Sequence, residues 1–440
     1  MMVEQNHKPK VLVEAYECSP VRSHAPGSAW QILSRLAQWY NLWVITEETQ
    51  YREDVTNYLK NNPSLAERMC FSFIPRSRKG GLSRKRPALP IREVLEHRKW
   101  LKRSFVVAKQ LHSKINFDLV HHLRGDSFRE PGHLWKLPVP FVWGPIGGTA
   151  SIPWQMLTAL DSKARIEYTV RNVVNALQFH FSPRVHNACF AAKRILAQTT
   201  EDQKNFSKVH GVEALIAHEQ GCDPSKGSLH YYDGTRKLKV AWIGRCISGK
   251  AMPILLKAIC NPEIKEHITL HVAGNGPCLS KWQTLAENLG LAEQCIWYGW
   301  LGQQKTLDLL NSCDVLAFTS LLEATSTTVM QALSLGIPVI CLKLCGFGDV
   351  ITDECGIAIP AKDTRSAIKG FSTAFGSILQ KPQRLEEISK GALRQAVKYS
   401  WDHLAQQVKD AYEIALVNTA RSEEPNKTGV PIARFEVAAP

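Results

Sequence analysis

Apolar positions along the chain alternate between two rhythms, short aliphatic and β-branched runs and longer stretches with an apolar residue every three or four positions. KVLVEAY (10–16) is the first short run, followed by a loop with Pro20, Pro26 and Gly27, the helical spacing of AWQILSRLAQW (29–39), and a second run, NLWVIT (41–46). Strand, loop, helix and strand in that order predict a parallel α/β sheet with right-handed crossovers. Further strands are expected at CFSFIP (70–75), DLVHHL (118–123), PFVWGP (140–145) and ILAQT (195–199).

The rhythm restarts after QGCDPSKGSLHYYDGTRK (220–237), a polar stretch rich in turn formers. LKVAWIG, ITLHVAG, CIWYGW, DVLAFTS, IPVICL and GIAIP read as strands, separated by the helical patterns of PILLKAIC, SKWQTLAENLG, QQKTLDLLNSC and 326–335. The pattern predicts an α/β fold of two doubly wound, Rossmann-like domains, 1–219 and 220–402, facing a central cleft. Ligands are expected there, because open α/β sheets bind at the carboxyl ends of their strands. SWDHLAQQVKDAYEIALVN (400–418) predicts a last helix, with 403–418 packing back on the first domain; 420–440 has no period and reads as a disordered tail.

Length agrees with two cores, since 440 residues exceed what one ordinary core organises. No apolar run approaches the roughly 18 to 20 residues of a membrane span, and MMVEQNHKPK lacks a signal-like apolar core, so a cytoplasmic location is expected. The twelve cysteines lie in apolar contexts such as VICLKLC without CxxC pairs, which suggests reduced, buried thiols and no zinc site.

The formal charge of +14 changes the picture by implying an anionic partner. RSRKGGLSRKRP (76–87) and HRKWLKRSF (97–105) set Lys and Arg beside Trp100, Leu101 and Phe105. That mixture suits peripheral contact with an anionic membrane surface, and a solvated basic loop and helix fits equally well. No nucleic-acid motif accompanies it, so nucleic acid is not an expected partner.

Two segments carry candidate chemistry. In AWIGRCISGKAMPILLKAI a strand ends at Gly244, and Arg245 and Lys250 precede a helix; two cations beside a helix N-terminus can receive a diphosphate. In LLEATSTTVMQALSLGIPVI, Thr325, Ser326, Thr327 and Thr328 begin a later helix, where hydroxyls and N–H groups either cap the helix or hold phosphate oxygens.

Arg245 and Lys250 after Gly244, VAGNGP (272–277), YGWL (298–301), and Glu323 followed by LGIPVI resemble the retaining glycosyltransferases of family 4, group 1 type, with the GT-B fold. EAYECSP, PGSAWQ, HHLRGDSF and PFVWGPIGG in the first half resemble the branch that builds bacterial cell-surface polysaccharides. The resemblance spans about residues 10–415 and implies a nucleotide-sugar donor, a glycan or lipid-linked acceptor, and no further cofactor or metal. It places Arg245 and Lys250 on the donor diphosphate and Glu323 on the transferred sugar. Gly27, Gly244, Asn275, Tyr298, Trp300, Leu301, Thr325, Ser326 and Thr327 would surround the donor, with position 331 at the ribose. Electrostatic stabilisation of the leaving diphosphate is the largest contribution such a site can make.

Two positions depart from the family pattern. Gly144 and Pro145 stand where many relatives have a histidine, which leaves Gly147, Gly148 and His122 as candidate sugar or acceptor contacts. Gln331 stands where a carboxylate is common, about two helical turns beyond Glu323. An amide accepts from one ribose hydroxyl and donates to the other, at a cost of about 1 to 2 kcal/mol relative to a carboxylate. These departures leave open a catalytically silent GT-B subunit that binds a nucleotide sugar or a partner enzyme.

Overall fold

The computed structural model describes residues 8–76, 91–123, 127–224 and 227–422. The basic segment 76–87, apart from Arg76, and the tail beyond 422 lie outside the described residues. The first sheet contains β1 (Lys10–Glu14), β2 (Asn41–Glu47), β3 (Met69–Ile74), β4 (Leu119–His122), β5 (Phe141–Ile146), β6 (Ala192–Ala197) and β7 (Ala214–Ile216). Its order is β3-β2-β1-β4-β5-β6-β7, with every pairing parallel. The second contains β8 (Leu238–Ile243), β9 (Ile268–Ala273), β10 (Cys295–Gly299), β11 (Val315–Phe318), β12 (Val339–Leu342) and β13 (Gly356–Ile359). It is also fully parallel, in the order β10-β9-β8-β11-β12-β13. Two such sheets flanked by helices and facing a cleft form the GT-B architecture. β7, three residues long, was too short to show a pattern.

Both faces of each sheet are covered, which is why the central strands read as unbroken apolar runs. In β1, Val11 and Val13 pack with Trp30, Leu33 and Leu36 of helix His24–Leu36, whereas Leu12 faces Trp100 and Phe141. In β8, Val240 and Trp242 face one core, and Ala241 and Ile243 the other. Trp100 and Leu101, expected near lipid, are core residues of helix Ile91–Ile115, and Trp100 Nε1 donates to the Ile74 carbonyl at 3.0 Å. Phe105 packs half-buried against the same core. Burying the indole on the sheet satisfies both its ring and its N–H, so the apolar half of this basic segment faces inward.

Each domain lends apolar side chains to the other. Leu404, Val408, Ala411, Tyr412 and Ala415 of helix Trp401–Ser422 recur at helical spacing and complete the core around Trp30 in the first domain. In return, Ile152, Met156, Leu157, Leu160 and Ala164 enter the core of the second sheet. His121 lies at the first junction, with Nδ1 2.6 Å from the Tyr412 hydroxyl and Nε2 2.7 Å from the Gly144 carbonyl.

Burial pushes His121 down from 6.5 to about 3, so it is neutral in the fold, while the unfolded chain protonates it below about pH 6.5. Its contribution is therefore complete above pH 6.5 and declines as pH falls from there toward 3. At pH 5 the loss from this residue is about 2 kcal/mol relative to pH 7. Thermal unfolding should show a midpoint that falls between pH 7 and 5. His121→Gln should lower the midpoint at pH 7 and flatten the pH dependence; an unchanged slope would contradict a neutral buried His121.

Candidate active site in the interdomain cleft

Each sheet has a topological switch point, β1/β4 in the first and β8/β11 in the second, where flanking loops leave in opposite directions and open a crevice. At β8/β11 the loop after β8 runs through a 3₁₀ turn at Ser248–Lys250 into helix Met252–Ile259. The loop after β11 is stitched to it: Leu321 N donates to Gly249 O at 2.9 Å, and the Thr319 hydroxyl donates to Lys250 O at 2.7 Å. These bonds bring Lys250 Nζ into a hydrogen-bonded ion pair with Glu323 Oε2, with the ammonium 4.8 Å from the Phe318 ring centroid. Arg245 is exposed, and its guanidinium has no partner among the described residues.

The GNG turn explains how the first loop is held. Gly244 N donates to Ala273 O at 3.0 Å, Cys246 N to Asn275 O at 2.9 Å, and Cys278 N to Cys246 O at 2.9 Å. Gly274 has φ +155°, and a Cβ there would lie 1.8 Å from Gly244 O; Gly276 has φ +156° and would meet Cys246 O at 2.5 Å. Glycine is required at both by conformation and by close approach. Gly244 differs, because a Cβ there would meet only ordinary contacts at 3.7 Å or more. Its missing side chain leaves space at the strand end.

Between the domains lies a cavity of about 280 Å³. Leu322, Glu323 and Ala324 form its second-domain wall, and Glu17, Gly148, Arg171, Gln198 and Asp202 are among its first-domain residues. Asp202 is buried and accepts from Thr149 N at 3.0 Å, Thr149 Oγ1 at 2.6 Å and Thr199 Oγ1 at 2.7 Å, tying the glycine loop after β5 to helix Thr200–His210. Burial raises its carboxyl above the usual range. Arg171, on helix Ser162–Phe181, has a buried Nη1 with no hydrogen-bond partner among the described residues, and burial lowers its pKa. From the same helix, Tyr168 reaches Gly249: a Cβ on that glycine would lie 2.4 Å from the tyrosine hydroxyl.

The structure brings Lys250, Glu323 and the helix Thr327–Leu335 to one place, with Ser326 as N-cap. Thr325 Oγ1 lies 3.3 Å from His218 Nδ1, Thr327 Oγ1 lies 3.2 Å from His24 Nδ1 across the cleft, and Ser326 makes no side-chain capping bond. Gly27 lies in the first turn of the His24 helix, where a Cβ would lie 2.2 Å from Arg22 O, so the local chain path by itself requires glycine. Asn275 is exposed and bonds Gly276 N at 2.7 Å. Tyr298 stacks on His271 and bonds it at 2.9 Å, Trp300 is 71% exposed, and Leu301 packs on the second core.

Gln331 is half-buried, with an amide that has no side-chain partner among the described residues. Glu323 precedes the helix N-cap in the loop, so helical spacing does not relate the two positions, contrary to expectation. His122 is also placed differently from a ligand contact: it is buried outside the cavity lining, with Nδ1 2.5 Å from Glu14 Oε2. Gly132 closes over that pair, since a Cβ there would meet Glu14 Oε2 at 2.6 Å. Gly148 reaches the cavity with φ +85°, whereas Gly147 lies beneath Gln198. Sequence reasoning missed Arg171, Gln198, Thr199 and Asp202. The available signal was that Gln198 and Thr199 follow the carboxyl end of a parallel strand.

Residues 234–393 match the family described as "Glycosyl transferases group 1". Those residues, which include most of the second sheet and its helices, are thus similar to a group 1 glycosyltransferase domain. A D-inositol 3-phosphate glycosyltransferase of Rhodococcus jostii is 24% identical over 244 residues, covering 51% of this chain and 53% of that protein. The chain thus spans about half the length of the first curated relatives it matches. A glycosyltransferase from Rickettsia africae superposes with a TM-score of 0.60 at 12% identity, covering 93% of this chain and 99% of the other. Sucrose-phosphate synthase from Thermosynechococcus elongatus superposes with a TM-score of 0.63 at 13% identity, covering 93% and 100%. At these identities the superpositions show the fold.

The glycine geometry of the loops after β8 and β9 leads to a stability test. Gly274→Ala should cost about 1 to 3 kcal/mol through strain and backbone collision, whereas Gly244→Ala should leave the unfolding midpoint within error. Equal midpoints for the two variants would contradict the proposed packing of these loops.

Proposed function

We propose that the protein is a retaining, metal-independent glycosyltransferase that moves a sugar from a nucleotide-sugar donor to a glycan or lipid-linked acceptor in cell-surface polysaccharide synthesis. The observation that carries this reading is the Lys250–Glu323 pair at a strand-end switch point, beside an exposed Arg245 without a partner among the described residues, with Glu323 lining an interdomain cavity. The group 1 match supports it. In this reading residues 220–402 bind the donor, 1–219 bind the acceptor, and the enzyme works in the cytoplasm, peripherally at the membrane face.

Breaking the bond between the anomeric carbon and the phosphate oxygen leaves negative charge on the diphosphate and positive charge on the sugar ring. Arg245 and Lys250 stabilise the first, and their fixed charge supplies the neutralisation a divalent ion would otherwise provide. Glu323 orients the sugar hydroxyls, and its carboxylate favours the oxocarbenium-like ring. The acceptor hydroxyl attacks from the face the phosphate leaves, and the leaving phosphate oxygen takes its proton. Gly244, Asn275, Tyr298, Trp300 and Leu301 border the nucleotide, Thr325, Ser326 and Thr327 the phosphates, and Gln331 the ribose. Gly27 approaches the phosphates from the first domain. On the acceptor side Gly148 allows close backbone approach. Arg171 suits an acceptor carrying an anionic group, the class to which the phosphorylated polyol in the Rhodococcus relative's name belongs.

Turnover of sugar nucleotides with membrane extract tests the reading. Lys250→Ala and Glu323→Ala should each lower turnover at least about a hundredfold, as expected for loss of charge stabilisation in a desolvated site. Unchanged turnover in both would overturn the assignment. Gln331→Glu should tighten nucleotide binding roughly tenfold with little change in the chemical step; loss of activity would show that the amide has another role. A catalytically silent subunit, the reading that an unusual Gln331 favours, would bind a sugar nucleotide without turning it over.

A further inference from the structure

The turn that carries Lys250 sits in an uncommon conformation. Ala251, which follows the 3₁₀ turn Ser248–Lys250, has φ +45° and ψ 38° and is fully buried. A residue with a Cβ stays in this left-handed region only where its surroundings hold it there. Within the second domain, Leu321 N grips Gly249 O and the Thr319 hydroxyl grips Lys250 O. Ser248, at the start of the turn, instead borders a cavity of about 330 Å³ together with Leu160, Asp161 and Lys281, so solid packing does not back the turn on that side.

Further support comes from the first domain. Tyr168, on helix Ser162–Phe181, lays its ring against the core of the second sheet and brings its hydroxyl to Gly249. A Cβ on Gly249 would lie 2.4 Å from that oxygen and 3.1 Å from the ring carbon that bears it, so the tyrosine fills the space an alanine side chain would need. Burial raises the hydroxyl's pKa, and a backbone hydrogen bond from Gly249 opposes the rise. Gly249 is thus held from both domains, and it is the residue from which Lys250 departs. The tyrosine in turn has a fixed base. Asp161 caps its helix through Ala164 N at 2.9 Å, Asn172 bonds Ile152 N at 3.2 Å and Ile152 O at 2.8 Å, and Asn175 donates to Thr149 O at 3.1 Å. Gly148 and Ala150 of that same loop line the interdomain cavity.

We propose that Tyr168 is a positioning residue of the donor site: from the first domain its hydroxyl fixes the Gly249 turn, and so holds the Lys250 ammonium where the donor diphosphate needs it. This deepens the proposed function and rests on it for the role of Lys250. Tyr168 acts without touching the donor. The placing of Lys250 then depends on how the two domains dock, because one helix carries Tyr168 to the turn and, three residues on, Arg171 to the cavity.

The test is calorimetric binding of UDP, GDP and ADP to the full chain, alongside thermal unfolding. The nucleotide that binds the wild type most tightly serves for Tyr168→Phe, Gly249→Ala, Lys250→Ala and their pairings. Tyr168→Phe keeps the ring and should weaken binding about fivefold, the effect of one hydrogen bond. In the Lys250→Ala background the same change should cost less than about twofold, because the tyrosine acts through that ammonium. Gly249→Ala, which forces the hydroxyl or the turn aside, should also weaken binding, and adding Tyr168→Phe to it should cost nothing further. A role in stability alone would lower the unfolding midpoint of Tyr168→Phe and leave binding intact; that result, or equal losses with and without Lys250, overturns the proposal. If no nucleotide binds the wild type, or Lys250→Ala binds as tightly as the wild type, the donor-site reading fails and takes the proposal with it. If Lys250→Ala weakens binding and Tyr168→Phe does not, only the role of Tyr168 fails.

Discussion

The cleft depends on a reciprocal exchange of apolar segments between the domains. Ile152 to Ala164 leave the first half of the chain to complete the core of the second sheet, and Leu404 to Ala415 leave the second half to complete the core of the first. Each domain is thus finished by the other's residues, and exposing either segment would return large apolar surfaces to water. Short polar links reinforce the arrangement: Thr200 N donates to Asp349 Oδ2 at 2.7 Å, and His24 meets Thr327 at 3.2 Å. A charged site can therefore face a cavity without the domains drifting apart.

The electrostatics of the two walls differ. On the second domain, Lys250 and Glu323 neutralise each other, while Arg245 is exposed and its guanidinium has no partner among the described residues. Behind it lie the 3₁₀ turn Ser248–Lys250 and helix Met252–Ile259. On the first domain, Arg171 faces the cavity with a buried, unpartnered Nη1, and Asp202 is fully occupied by threonine hydroxyls and a backbone amide. Buried unpartnered donors are costly, and ligand oxygens are the partners such a group can acquire. Buried carboxylates held by several donors, by contrast, organise loops.

Much of the frame was legible because its signals are local. Strand and helix periods placed nearly every element of both sheets, and the glycines of VAGNGP and the cations at 245 and 250 marked a strand-end loop before the fold was known. The inward turn of Trp100 was not legible, because whether an aromatic in a basic segment faces lipid or core depends on which sheet lies beside it. Nor was the fate of His122, which sits beside Glu14 only because β1 and β4 are paired in that register.

The sequence by itself determined the two-sheet α/β plan and marked Arg245 and Lys250 at a strand end, because periodicity and strand-end chemistry are properties of consecutive positions. Tertiary structure alone decided that Glu323 meets Lys250 and that Arg171 reaches the cavity while Tyr168 of its helix reaches Gly249. Each of these facts joins residues far apart in the chain. Distance and burial of that kind arise from packing, and no local pattern encodes them.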